Sequence, residues 1–419
     1  MSKRALVIGG SLGGLMVAHL LRSIGWEAVV FERNEEELAS RGVGLGTHPQ
    51  LIAVLKRAGV DFDESMGITP PRAVCLDGAG RIVIERPMGR TLSGWSRLYQ
   101  ALLDGLPPRT YRLGKRLTRV AQDDESVTAY FADGTGERGD LLVGADGLRS
   151  TVRTQFLPDV QPVYAGYVAW RAVLDEADVP PDLWREMVEL YAFCLPEGEQ
   201  LISYAVPGRD NDTAVGHRGY NIVWYRPVDR ETLADMCTDA KGNHHAAGIP
   251  PPLIRPDVIA RVKADAKAII APQVAEIFAR TTPFFQPIYD LASPHLVFRR
   301  VVLAGDAAFV ARPHAGAGTT KAALDAACLA DSIRDAGDDL RTGLLAYERM
   351  QQPFGSALVE LNREEGAYLS AQLKPKAERT AGELHRDIGA VLHAHTNRSD
   401  QVGDIVAAHG LDVHVNSPL

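Results

Sequence analysis

Residues 5–33 read ALVIGGSLGGLMVAHLLRSIGWEAVVFER. A short apolar run, Ala5 to Ile8, ends in glycine. A helical period of apolar residues follows from Leu12 to about Ser23, and Gly25 stops it. A second apolar run, Ala28 to Phe31, ends in an acid, Glu32, followed by Arg33. Strand, glycine turn, helix and strand within about 30 residues form a βαβ unit. A dinucleotide loop needs small residues at its tight turn, beside the pyrophosphate and at the helix–strand contact. Gly9 and Gly14 fill the outer two positions, and Ser11 stands in the middle one, flanked by Gly10, Leu12 and Gly13. The helix N-terminus then faces an anion. Glu32 is placed to take ribose hydroxyls. This unit alone suits NAD and FAD equally.

Two later strand tips separate them. GADGLRSTVR, 144–153, puts Asp146 at a strand end. The apolar run 301–304 leads into GDAAFVARPHAGAGTTKA, 305–322, with Asp306 at its tip and a glycine turn beyond. Asp306 can accept a hydrogen bond from a ribityl hydroxyl. After Pro313, the amides of Ala315, Gly316, Ala317, Gly318 and Thr319 open a helix toward a flavin's O2 and N1 edge. A helix N-terminus there stabilises the negative charge of a reduced flavin. NAD has no ribityl chain, so the expected cofactor is FAD.

The 419 residues carry a net charge of −8, which argues against nucleic acid as a partner. No apolar run approaches the roughly 18 residues of a membrane helix, and the apolar stretch at the start is too short for a signal peptide. Four scattered cysteines without C-x-x-C spacing suit a reducing cytoplasm. The histidine doublet His244-His245 and the tail histidines lack partners at ligand spacing, so no metal is expected.

The nucleotide motifs lie far apart, so the expected architecture is α/β. A Rossmann-like domain is assembled from 1–72, 96–160 and 290–340. A mainly antiparallel β substrate domain, 73–95 and 161–289, is inserted into it. A helical region and tail, 341–419, follow; its long helix packs on the first domain or at a homodimer contact. In finer detail, a hairpin is expected at Asp77-Gly78, a helix over Gln100–Leu106, two strands across 125–147, one helical stretch from Pro256 to Arg280, and a less regular tail from 380.

These three motifs, in this order, resemble the class A flavoprotein aromatic hydroxylases of the p-hydroxybenzoate hydroxylase type. YAGYVAWR, ISYAVPGR, NIVWY and GDAAFVARPHAGAG are most similar to the 2,6-dihydroxypyridine 3-hydroxylases among them. The chain departs from the common pattern at Phe309, at Ala317 and at Trp95.

The resemblance implies an FAD monooxygenase that consumes NADPH or NADH and O2. It would hydroxylate a small hydroxylated N-heteroaromatic ring, 2,6-dihydroxypyridine-like, through a C4a-hydroperoxyflavin. It further implies Arg97 near the pyrophosphate and Tyr204, His48 and His314 as candidate catalytic residues. Tyr204, His217, Trp224, Tyr225 and Pro313 are the candidate substrate wall. The alternatives are a hydroxylase of a carbocyclic phenol or another azaarene, a non-oxygenating FAD reductase, and a flavin-binding protein without turnover.

Overall fold

A computed structural model describes residues 3–38, 44–246 and 248–416. Two sheets dominate it. The first has six strands in the order Val297–Phe298, Val301–Leu303, Leu141–Gly144, Arg4–Ile8, Glu27–Phe31, Tyr111–Arg112. Its inner pairings are parallel, and only the edge strand Val297–Phe298 runs antiparallel. Such strands are buried on both faces, which explains their unbroken apolar runs. Helices Leu12–Ser23 and Gly318–Asp335 pack against each other beside it. The three motif strands, Arg4–Ile8, Leu141–Gly144 and Val301–Leu303, are parallel neighbours and so end at the same end of the sheet, although they lie far apart in sequence.

The second sheet has eight strands in the order Phe309–Val310, Phe284–Ala292, Val163–Asp175, Gly219–Pro227, Gln200–Val206, Leu190–Cys194, Arg72–Leu76, Ile82–Pro87. All its pairs are antiparallel except Leu190–Cys194 with Arg72–Leu76. Period-2 alternation divides its side chains between two cores. Trp170, Leu201, Tyr220 and Trp224 face helices Pro256–Ile269 and Pro272–Ala279. Tyr167, Ile202, Tyr204 and Tyr225 face the other way, toward the nucleotide motifs.

The hairpin turns at Asp77, whose N–H donates to Arg81 O. Four finer expectations need correction. The helix expected over Gln100–Leu106 runs Trp95–Asp104. Three strands rather than two span 125–147: Val127–Phe131, Gly136–Gly139 and Leu141–Gly144. The helical stretch from Pro256 breaks at Ile270 and Ala271, which are extended because Pro272 follows. The tail is helical, over Ala381–Leu384, Ile388–Thr396, Arg398–Ala408 and Asp412–Asn416. Its apolar residues are too sparse to signal helix alone, but Leu392, Val402, Val406 and Leu411 are buried by docking. The long helix Leu340–Glu365 packs on Gly318–Asp335 of the same chain. Among the described residues, no helix is long and apolar enough to cross a membrane.

Candidate active site

A cleft runs between the two sheets as three hollows that share lining residues, of about 400, 230 and 270 Å³. The first lies over the βαβ turn, against Gly9, Gly10, Ser11, Glu32, Arg33 and Asp146. Gly9 has φ +110, and a Cβ there would sit 2.2 Å from Ala145 O. Gly14 lets the helix touch the strand; its Cβ would sit 1.9 Å from Gly9 O. Ser11 starts helix Leu12–Ser23 without capping it, which leaves the first amides open. Glu32 is buried and fixed: Oε2 accepts from Gly10 N at 2.9 Å and Oε1 from Asn34 N at 2.9 Å. Asp146 Oδ2 accepts from Thr151 N at 2.7 Å, while Oδ1 is buried without a partner. Burial pushes its carboxyl pKa up, against hydrogen bonds from Ser150 and nearby amides.

The middle hollow carries Leu12, Gly13 and Asp306. Asp306 sits on a one-turn bend, Gly305–Ala307. Beneath it, Lys321 Nζ lies 3.2 Å from Asp325 Oδ2, which also accepts from Gly305 N at 2.7 Å. Asp306 is exposed to the cleft, yet desolvation by the protein packed around it raises its pKa; Lys321 opposes this and Asp325 adds to it.

The third hollow is a chamber between two loops and the second sheet. Gly44–Gly46 forms one side, and Pro313, Gly316, Gly318 and Thr319 form another. Gly316 turns at φ +60, and helix Gly318–Asp335 starts beyond it. The sheet contributes Tyr191, Tyr204, Tyr225 and Arg171, and a neighbouring loop contributes Arg90. Tyr191 and Tyr204 stack at 5.1 Å. Burial pushes the Tyr204 hydroxyl far above its usual pKa; Tyr191 adds to this, while Arg171 and Arg90 oppose it. Tyr204 is therefore neutral at working pH.

A family model described as FAD binding domain-like matches residues 164–290. The chain is 32% identical to 2,6-dihydroxypyridine 3-monooxygenase of Paenarthrobacter nicotinovorans, over 84% of this chain and 88% of that one. The chain belongs to the FAD-dependent aromatic hydroxylases. It is also 25% identical to 6-hydroxynicotinate 3-monooxygenase of Pseudomonas fluorescens, over 80% of this chain and 84% of that one. The solved structure of 2,6-dihydroxypyridine-3-hydroxylase from Arthrobacter nicotinovorans superposes with a TM-score of 0.82 at 29% identity, covering 91% and 96% of the two chains.

The cleft of this hydroxylase fits FAD on its own geometry. It is long and continuous, with open helix amides at one turn and an unpartnered buried acceptor, Asp146 Oδ1, on its wall. At the ring end, a Cβ on Gly318 would meet nothing within 4 Å, so a planar group has room there. Gly9, Gly10, Ser11, Leu12, Gly13, Glu32, Arg33, Asp146, Asp306, Pro313, Gly316, Gly318 and Thr319 all line this cleft. Gly14 lies behind it as the helix–strand contact.

Several other residues named from the sequence lie elsewhere. Arg97 is directed at Met66, with Nε 3.1 Å from Sδ. It follows Trp95 by two residues, about 200° around the helix, so Trp95 takes the cleft side. The Ala315 amide is committed to Asn362 Oδ1 at 2.8 Å, and Ala317 is buried at the helix start. His48 is fully buried at the start of helix Pro49–Arg57, with Nδ1 2.8 Å from Thr320 Oγ1. It ties the turn after strand Gly44–Gly46 to helix Gly318–Asp335 and does not line the chamber. His314 is buried behind Pro313, with Nε2 2.7 Å from Tyr167 OH. His217 is an exposed loop residue paired with Asp212 at 2.6 Å. Trp224 must face away because its neighbour Tyr225 faces the chamber; it packs on Phe278.

Sequence reasoning missed Trp95, Arg90, Arg171 and Tyr191. It also missed the chain Tyr99 OH to Tyr111 OH to Gly10 O, at 3.2 and 3.1 Å, which ties helix Trp95–Asp104 to the glycine turn. The signal for Arg171 was present: an arginine inside the apolar run YVAWRAVL on a strand with its neighbours assigned.

Proposed function

We propose that this hydroxylase acts on a hydroxylated N-heteroaromatic ring of the 2,6-dihydroxypyridine kind and takes its electrons from NADPH or NADH. The observation that carries this is the tyrosine-walled chamber of about 270 Å³ at the ring end of the cleft. It is wide enough for one small ring beside a flavin. The overlap with the dihydroxypyridine enzyme across most of both chains supports the substrate class. In balance, one ring C–H becomes C–OH, O2 supplies that oxygen and one water, and NAD(P)H supplies two electrons. FAD, when bound, supplies the hydride acceptance and oxygen activation that no amino-acid side chain provides.

The protein's own residues orient, desolvate and hold protons. Glu32 would hold the adenosine ribose, the turn 9–13 the pyrophosphate and Asp306 the ribityl chain, and the turn 316–319 would hold the flavin ring. Tyr204, neutral and buried, donates a hydrogen bond to a ring oxygen rather than acting as a base. In the present geometry its hydroxyl lies 3.4 Å from Gly44 O, a long contact that leaves the proton available. Tyr191 and Tyr225 flank the ring and exclude water. His48 and His314 position the two flavin-side loops. The sequence holds no second glycine fingerprint, in keeping with a nicotinamide nucleotide that docks transiently.

The test is anaerobic stopped-flow reduction of the purified yellow protein by NADPH and by NADH, with and without 2,6-dihydroxypyridine. Bleaching of the flavin that accelerates at least tenfold with the ring present is the expected result. Equal rates with and without it would contradict the proposed substrate.

A further inference from the structure

Most arginines drawn into this protein's interior have acidic partners, and Arg153, which has none, spends Nη1 and Nη2 on the carbonyls of Ala307 and Leu148 at 3.1 and 2.5 Å. Arg57 pairs with Asp331, Arg218 with Glu176, Arg226 with Glu199 and Arg312 with Asp290. Arg171 is different. It sits in the middle of strand Val163–Asp175, opposite Val223 and Phe284. Alternation puts it on the same sheet face as Ile202, Tyr204 and Tyr225, and it lines the chamber. The residue is half-buried; its Nε is enclosed without a hydrogen-bond partner, as are those of Arg4, Arg57 and Arg153, but those three have partners at their other nitrogens, whereas among the described residues no carboxylate pairs with Arg171. A guanidinium held in a tyrosine-walled chamber without a counter-charge is costly unless something bound there supplies one.

The rest of the lining has the same sense. Arg90 is the second cation. Its guanidinium lies against both flavin-side loops, where a Cβ on Gly46 or Gly316 would meet it at 1.9 and 3.0 Å. The single carboxylate of the lining is Asp306, at the ribityl end.

Resting on the substrate class proposed above, we infer that Arg171 is the receptor for an anionic oxygen of the substrate. The chamber therefore selects rings that enter as monoanions, with an ionised hydroxyl or a carboxylate directed at this guanidinium. An anionic ring is the better nucleophile toward an electrophilic oxygen. The same contact that selects the ring then holds it in its reactive charge state without a side-chain base.

The experiment is titration of FAD-loaded wild type, Arg171→Gln and Arg171→Lys, followed by the shift in flavin absorbance. Two matched pairs serve as probes: 2,6-dihydroxypyridine against 2,6-dimethoxypyridine, and benzoate against benzamide. The first pair reports a ring oxide, and the second a carboxylate on a ring of any kind. Arg171→Gln is expected to weaken the anionic member of a pair roughly 10- to 100-fold. The neutral member should change less than threefold, and lysine should restore part of the loss. For the hydroxypyridine, wild-type Kd should tighten as pH rises through the ligand's own ionisation, and Arg171→Gln should lose that slope. Equal losses for anionic and neutral members would assign Arg171 to shape alone and overturn the inference. Lost FAD with unchanged ligand preference would make it a flavin ligand and overturn it equally. The substrate class fails separately, if wild type binds benzoate and ignores the pyridines; the benzoate-to-benzamide ratio then still judges Arg171.

Discussion

Replacing Gly14 with alanine tests the geometry of the phosphate turn most sharply. The added Cβ would lie 1.9 Å from Gly9 O, against the 3.4 Å of ordinary contact. The obstacle is backbone, so no side chain can rotate away. Helix Leu12–Ser23 must move by about 1.5 Å, and it is wedged against helix Gly318–Asp335 and the sheet. Overpacking of this kind costs about 1–3 kcal/mol. The larger effect is on the cofactor. Hydrogen bonds from amides to a charged oxygen are worth about 1.5–3 kcal/mol each and fade quickly with misalignment. Half the strength of two such bonds is about 1.5–3 kcal/mol, so FAD should bind about 10- to 150-fold more weakly. The assay is quenching of flavin fluorescence as apoprotein is titrated, with circular dichroism to confirm folding. Ser11→Gly, which adds no atoms, should stay within about fivefold of wild type. A folded Gly14→Ala protein with wild-type FAD affinity would refute the reasoning.

Three further outcomes are expected. Both Tyr225 and Trp224 are buried, so alanine at either should lower stability by about 3–5 kcal/mol, but only Tyr225→Ala should also raise KM, with Trp224→Ala leaving it near wild type; thermal melts and kinetics on both variants check which face each residue occupies. Tyr204→Phe should lower kcat/KM about tenfold with no change in the shape of the pH profile, because burial holds this hydroxyl protonated throughout; a profile that loses an inflection would make it a titrating base. His414, on Asp412–Asn416, lies 3.1 Å from Asp331 Oδ2, and Arg57 bonds both that carboxylate and the His414 carbonyl. Burial opposes its charge, yet hydrogen bonds to Asp331 and Cys328 hold its pKa up at about 9. Because the folded value is the higher one, this stabilisation, about 3 kcal/mol, is complete below pH 6.5 and is lost as pH rises through 9. Limited proteolysis should release the segment after 397 faster at pH 10 than at pH 7; equal rates would contradict the pairing.

The glycine-turn end of the cleft was legible in the sequence because its signals are local. Turn, helix and acid follow one another within Gly9–Glu32, and the strand tips at Asp146 and Asp306 are marked by apolar runs that end in an acid. The ring end was less legible because it depends on phase. NIVWY shows that Trp224 and Tyr225 face opposite sides of a sheet, but not which side holds the cofactor. That is decided by pairing with strands more than 50 residues away. The helix over Trp95–Asp104 raised the same problem: two residues of error turn Arg97 toward the cleft and Trp95 out of it. The resemblance placed His217 on the substrate wall, yet its loop carries it to the surface. Arg171 is marked in the sequence as an arginine inside an apolar run, but that it lacks an acidic partner is revealed only by packing.

The central claim is hydroxylation of an N-heteroaromatic ring, and the most direct measurement is coupling in air. Purified FAD-loaded protein is given 2,6-dihydroxypyridine and NADH or NADPH, and hydroxylated product is counted against nicotinamide oxidised and hydrogen peroxide formed. The account predicts close to one hydroxylated ring per nicotinamide, with little peroxide. Nicotinamide oxidation that is not stimulated by the ring, or that yields peroxide alone with every hydroxypyridine offered, would contradict it.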